Sequence, residues 1–265
     1  MPSNPYHTIE AGNPGRIGWR IHYFEEVDST QRTAAEMAEN GAAHGTVVVA
    51  ERQSAGRGRL GRSWHSPAGV NLYTTIILRP AMPVAEVPRL SLVAGVAAAE
   101  SLEPVAPGIV ALKWPNDIWL NGRKAGGIIA EASTDSADGL ICVLLGIGLN
   151  LNLAADDLSP ELRDKATSVL IATGRQCDRV QIAAALFNRL NTRYMEAQVG
   201  GFAAIRPAYE RYFALNGRSV TIIDRGSRLA GVVRGIDHDG ALMLETAAGV
   251  SRILTGDVSV EGAYD

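Results

Sequence analysis

The 265-residue chain reads as an α+β protein finished by a small all-β unit, on three observations. Its first part runs strand, helix, strand, loop, strand, helix. Residues 109–153 then form a hairpin-rich meander, and after Asn216 only short strands remain, divided by RGS, DHDG and TGD turns. A composition of 46% hydrophobic and 20% charged residues supplies the core such a fold needs.

Residues 1–18, with Pro2, Pro5, Gly12, Pro14 and Gly15, are expected to form an irregular arm. A strand fits 19–27, and Asp28-Ser29-Thr30-Gln31 opens a helix with Asp28 or Thr33 as cap and Gly41 as stop. A strand at 46–51 enters the loop GRGRLGRSW at 56–64; SPAG at 66–69 turns, and NLYTTIILR at 71–79 is β-branched enough to be the next strand. A long helix fits 86–103, closed by Pro104. The meander comprises IVALKW, DIWL, an Asn121-Gly122 turn, KAGGIIAEA, a DSADG turn and LICVLLGIGLNLNL. After a polar loop at 154–166, apolar spacing predicts helices at 178–198 and 206–214. A domain boundary is expected near Leu215, separating a large unit at 19–215 from a small barrel at 216–265.

A net charge of −3 gives no overall attraction for nucleic acid or an anionic membrane, so any basic function must be local. Arg52, Arg57, Arg59 and Arg62 are such a cluster. Cys142 and Cys177 stand apart, without CxxC or a histidine at ligand spacing, which argues against zinc or a disulfide framework. The N-terminus lacks the apolar region of a signal peptide, and no run of about 18 apolar residues occurs, so a cytoplasmic protein without membrane association is expected.

The loop GRGRLGRSW meets several phosphate-binding patterns. Gly56, Gly58 and Gly61 give the G-x-G-x-x-G of dinucleotide sites and kinases, and the stretch ends as a Walker A with Arg62 in place of lysine. Dinucleotide and Walker loops need a helix directly after the last glycine, because its N-terminus holds the phosphates; RSWHSPAG, with Pro67 and Gly69, forbids one. A kinase is excluded by the absence of HRD and DFG, despite VALK at 110–113. What remains is a loop between strands that projects Arg57, Arg59 and Arg62. Taken alone it suits either a solvated basic surface or a site for several anionic oxygens, which guanidinium forks bind bidentately. KWPNDIWLNGRK at 113–124 adds Lys113, Asn116, Asp117 and Lys124, of which Asp117 and Lys124 are also at home in a turn. GIGLNLN at 146–152 breaks an apolar strand with Asn150 and Asn152, whose alternate spacing puts both amides on one side, available to a ligand.

In this order, VDSTQ (27–31), AERQSAGRGRLGRSWHSPAGVNLYTTIILRP (50–80), KWPNDIWLNGRKAGGIIAEA (113–132) and GIGLNLN (146–152) resemble the biotin protein ligases, over nearly all of the chain after about residue 20. The resemblance implies an α+β catalytic domain on a mixed sheet, related to the lipoate ligases, followed by an SH3-like barrel. It implies a two-step reaction: the biotin carboxylate attacks the α-phosphate of MgATP to give biotinyl-5′-AMP and pyrophosphate, and a carrier lysine displaces AMP. By position, Arg59 and Lys124 match the catalytic residues that contact the biotin carboxylate and the adenylate phosphate. Ser29, Thr30 and Gln31 match the segment that hydrogen-bonds the ureido ring, and Gln53, Arg57 and Gly58 match others lining the biotin site. Arg62, Asn116, Asp117 and Asn150 match nucleotide-side positions, with Asp117 as the group associated with Mg2+. The implied partner is the biotin carboxyl carrier protein of acetyl-CoA or a related carboxylase; neither nucleic acid nor membrane is expected, and a homodimer is compatible.

Two departures from the family stand out. About 20 residues precede the catalytic unit, too few for the N-terminal winged helix of bifunctional members, so a monofunctional enzyme is expected. AADDLSPELRDKA at 154–166 has no aromatic residue to stack on adenine, as some members have. Two other readings compete: a lipoate or octanoate transferase on the same fold, whose families lack the GRGR…W.SP string, and a non-catalytic biotin-sensing or nucleic-acid-binding module, which the acidic net charge opposes.

Overall fold

A computed structural model describes residues 4–9, 17–134, 139–224 and 226–260. In chain order its elements are β1 (Arg20–Val27), α1 (Thr30–Glu39), β2 (Thr46–Gln53), β3 (Leu72–Leu78), α2 (Arg89–Leu102), β4 (Val110–Lys113), β5 (Asp117–Leu120), β6 (Arg123–Thr134) and β7 (Leu140–Leu149). There follow α3 (Val169–Thr173), α4 (Arg179–Tyr212), β8 (Ser219–Asp224), β9 (Ser227–Ile236), β10 (Leu242–Thr246), β11 (Gly249–Ile253) and β12 (Asp257–Val260). A seven-stranded sheet runs β1-β2-β3-β7-β6-β5-β4; β1 and β2 pair in parallel and the other neighbours antiparallel, so the sheet is mixed.

Burial explains the residue choice in the middle of this sheet. All seven positions of β3 are buried, and its alternation serves two faces. Leu72, Ile76 and Leu78 join the main core with α2 and α4, while Ile77, with Val48 of β2, packs on Ala34 and Ala38 of α1. Each such aliphatic side chain contributes about 1.5–3 kcal/mol of burial. Helix α2 is apolar on nearly every side, and its run of alanines with Gly95 lets it lie between the sheet and α4.

Three elements differ from the sequence expectation. The helices expected at 178–198 and 206–214 are one 34-residue element, α4, bent at Gly201, whose φ of 63° swings the axis without an intervening loop. The short α3 was not foreseen; Ser168 caps it by accepting from the Ile171 N–H, and Gly174 ends it in the left-handed conformation. The third is the small sheet, β11-β10-β9-β8-β12, which is antiparallel but open among the described residues: β11 and β12 are its two edges and do not pair. The DSADG turn falls largely outside the described residues, as does much of the expected arm, although Tyr6 within it is wholly buried in the main core.

The small sheet is tied to the large one beside the KWPND segment. The buried Trp114 indole donates to the Gly240 carbonyl at 3.0 Å, and Arg89 of α2 pairs with Asp239 at 3.1 Å. Among the described residues, no helix is long and apolar enough to cross a membrane.

Candidate active site

The arginine–glycine loop is a tight hairpin rather than an extended chain. Arg57 bridges Ser63, the Gly58 N–H donates to Arg62 O at 2.7 Å, and the Trp64 N–H donates to Gly56 O at 2.9 Å. Its tip turns through Leu60 and Gly61, both at positive φ. Gly56 is required by packing: a Cβ there would lie 2.6 Å from Trp64 O and 2.7 Å from Ser66 Oγ. The hairpin borders two adjoining cavities of about 50 and 590 Å³.

The residues that wall the smaller cavity include Ser29, Thr30 and Gln31 at the start of α1, Gln53 at the end of β2, Arg57, Gly58 and Arg59 of the hairpin, Tyr73, Thr74 and Thr75 of β3, and Lys124 of β6. Thr30 is fixed by its N–H and hydroxyl, both donating to Gln53 Oε1 at 2.8 and 3.1 Å, and Gln53 in turn donates to Ser66 Oγ at 2.9 Å. Gln31 is fully committed as a support: Nε2 donates to Glu131 at 2.9 Å and to Leu144 O at 3.1 Å, while Oε1 accepts from Thr75 at 3.0 Å. Ser29 is the N-cap of α1, in place of the expected Asp28 or Thr33, yet its hydroxyl makes no capping bond. Among the described residues, that buried Oγ, the buried indole N–H of Trp64 and the buried Thr74 Oγ1 have no hydrogen-bond partner. A buried polar group left unmatched costs about 1–3 kcal/mol, so three of them in one cavity wall are suited to a polar ligand.

The larger cavity takes Arg62, Asn116, Asp117 and Asn150, and shares Gly58, Arg59, Trp64, Asn116 and Lys124 with the smaller one. Arg59 donates to Asn116 Oδ1 at 2.8 Å, and Asn116 is itself anchored by donating to Ile128 O at 3.0 Å. Lys124 Nζ sits 2.6 Å from Asp117 Oδ1 and 5.6 Å from the centre of the Trp64 ring. Two cations, Arg59 and Lys124, therefore line the common wall of both cavities, and the Asp117 carboxylate meets Lys124 from the larger one.

The expectation that Asn150 and Asn152 hold free amides is corrected by the structure. Asn150 donates to Thr167 O at 3.0 Å and accepts weakly from Asn71 at 3.5 Å, and Asn152 exchanges two bonds of 2.9 Å with the main chain of Cys177. These amides pin the loop after β7 to α3 and its flank, a long-range pairing that spacing does not reveal.

Sequence reasoning also passed over several wall residues. The Trp64 indole lies on paired Gly127 and Gly148 of β6 and β7; a Cβ at Gly148 would be 2.8 Å from its Nε1, and one at Gly127 3.4 Å from its Cζ3. Glycines inside strands signal such close approach, and KAGG and GIGL carried that signal. Asp257 of β12 pairs with Arg62 at 2.5 Å and approaches Arg59 at 3.8 Å, so the small sheet contributes a carboxylate to the larger cavity. Nothing near Asp257 in the sequence marks it.

Comparison with known proteins agrees with this layout. The biotin/lipoate A/B protein ligase family matches residues 23–150, and the biotin protein ligase C-terminal domain matches residues 216–260. The chain is 37% identical over 244 residues to the bifunctional ligase/repressor BirA of Bacillus subtilis, spanning 92% of this chain and 75% of that one. It is 35% identical over 240 residues to the biotin–[acetyl-CoA-carboxylase] ligase of Paracoccus denitrificans, spanning 89% and 98%. The solved structure of a biotin protein ligase from Aquifex aeolicus in complex with biotin and ATP matches with a TM-score of 0.79 at 30% identity, over 91% of this chain and 98% of that one.

Proposed function

This chain belongs to the biotin/lipoate A/B protein ligase family, and on that premise we propose that it activates biotin with ATP and transfers the biotinyl group to a lysine of a carboxylase carrier protein. The observation that supports this most is the shared wall: Arg59 and Lys124 line both cavities, where an acid in the smaller one meets a phosphate in the larger. In the first step a carboxylate oxygen of biotin forms a bond to the α-phosphorus of ATP, and the bond from that phosphorus to the bridging oxygen breaks to release pyrophosphate. Two anions must approach, and at an effective dielectric of about 20 unit charges 4 Å apart repel by about 4 kcal/mol. Fixed cations at the meeting point offset that repulsion and stabilise the charge that spreads over the phosphoryl group. In the second step a neutral lysine amine of the carrier attacks the carbonyl carbon, an amide forms, and AMP leaves.

The individual roles follow from reach and wiring. Ser29 Oγ, Thr74 Oγ1 and the Trp64 N–H are the unmatched polar groups that meet biotin, while Thr30, Gln31 and Gln53 hold the wall behind them. Arg57 and Gly58 complete the biotin side; Arg62, Asn116, Asp117 and Asn150 border the nucleotide side. Mg2+ arrives with ATP as part of the substrate and neutralises its phosphates. Asp117, a carboxylate in the larger cavity beside Lys124, fits it, because Mg2+ bound to nucleotide phosphates needs only one or two protein carboxylates. Burial holds the Tyr73 phenol well above its usual range, so it stays a neutral wall and donor. The reaction and its acid substrate are tested by incubating the protein with MgATP, an apo carrier domain and either biotin or lipoate, then weighing the carrier. One added biotin mass is expected; a carrier labelled by lipoate alone, or left unmodified, overturns the reading.

A further inference from the structure

We infer that Asn71 is a positioning residue that sets the two substrate subsites in register with each other. The inference rests on the ligase reading of the site. Asn71 lies just before β3, touches neither cavity and is 0% exposed. Its carboxamide is spent in three directions. Nδ2 donates to the Tyr73 hydroxyl at 3.0 Å and, more weakly, to Asn150 Oδ1 at 3.5 Å; Oδ1 accepts from the Leu151 N–H at 2.9 Å.

Each contact leads to a different part of the machinery. Tyr73 walls the smaller cavity, and its hydroxyl donates to Pro67 O at 3.1 Å, at the exit of the arginine hairpin. Asn150 borders the larger cavity and donates to Thr167 O, while the Thr167 N–H donates to Lys124 O at 2.8 Å. The Asn71 main-chain carbonyl accepts from Arg179 at 3.2 Å, and Arg179 is pinned by Glu51 at 2.9 Å, so the hub itself cannot drift. One buried amide thereby joins the hairpin exit, the acid-side wall and the main chain of Lys124. Two N–H donors and one acceptor oxygen on one planar group are available only from a primary amide; aspartate has the shape without the donors, and leucine neither donates nor accepts. Attack of a carboxylate on a phosphate tolerates little misplacement, and a shift of about 1 Å costs on the order of 100-fold in rate.

The test compares biotin-dependent pyrophosphate release by the full chain and its Asn71→Asp, Asn71→Leu and Tyr73→Phe variants, with competent sites counted from the adenylate formed in one turnover. Asn71→Asp is expected to lower kcat per competent site by about 10–100-fold, with the KM for biotin and for ATP each changed by less than about threefold. Tyr73→Phe lowers kcat less, and Asn71→Asp/Tyr73→Phe together is no slower than Asn71→Asp alone, because both break one link. A purely structural role would reduce the number of competent sites and leave kcat per site intact; wild-type kcat per site in the Asn71 variants overturns the proposal. If neither Asn71 variant folds, Tyr73→Phe decides alone, and wild-type turnover there overturns it. A wild-type chain that releases no pyrophosphate with biotin refutes the ligase reading instead.

Discussion

Gly148→Ala isolates the role of the Trp64 platform. The added methyl would lie 2.8 Å from Trp64 Nε1, 2.9 Å from Cε2 and 3.1 Å from Cζ2, against the roughly 3.5 Å of an unstrained contact. Gly148 is held between Tyr73 of β3 and Gly127 of β6, so its backbone cannot retreat and the indole must lift by about half an ångström or more. The Lys124 ammonium lies 5.6 Å from the indole's centre, so moving the indole disturbs the cation that faces both cavities. Overpacking of this kind costs about 1–3 kcal/mol, and a displaced catalytic cation costs on the order of 10- to 100-fold in rate. In a pyrophosphate-release assay over a biotin titration, Gly148→Ala should lower kcat/KM for biotin by that factor while Tm falls only a few degrees. Gly18→Ala, where a Cβ meets nothing within 4 Å, is the matched control and should behave as wild type. Wild-type kcat/KM in Gly148→Ala would falsify the platform argument.

Other substitutions probe different parts of the account. Ser29→Ala removes a buried hydroxyl that has no partner in the protein, so its stability should be unchanged or higher by about 1 kcal/mol in urea unfolding, while the KM for biotin rises about tenfold; lower stability with unchanged KM contradicts the assignment. Lys124→Ala takes away one cation of the shared wall and leaves Asp117 unpaired there, and single-turnover adenylate formation should fall by about 100- to 1000-fold; residual turnover above a tenth of wild type is the opposing result. Burial, with the nearby Arg79 charge, holds the His44 imidazole below its usual range, and its Nδ1 accepts from the Arg79 N–H at 2.9 Å. The unfolded chain then binds the extra proton, so stability is full above about pH 6.5 and is lost as pH falls below it. Tm should drop more between pH 7.5 and 5.5 in the wild type than in His44→Gln, and equal drops would rule this out.

The chemistry of the site was more legible in the sequence than its construction. Arg57, Arg59, Lys124 and the Ser29-Thr30-Gln31 segment stand out because charged and hydroxyl side chains cluster at strand ends and a helix start, where local pattern is informative. The state of each polar group was not legible, since it depends on partners far along the chain. Gln31 is tied to Glu131 and Leu144, and Asn152 to Cys177, so residues that read as available ligand groups are supports. Conversely Ser29, not the expected Asp28 or Thr33, holds the N-cap position, and its hydroxyl does not cap. The bend in α4 escaped because Gly200-Gly201 reads as a loop, whereas a single positive φ redirects the helix. Asp257 escaped because the docking of the small sheet, through Gly240 and Asp239, decides which of its edges faces the hairpin.

The claim at the centre is that carboxylate and phosphate meet at the wall formed by Arg59 and Lys124. It is tested most directly without any carrier, by following the exchange of labelled pyrophosphate into ATP. Exchange that requires biotin, and that Lys124→Ala removes, is the predicted result. Exchange independent of biotin, or undiminished in Lys124→Ala, contradicts it.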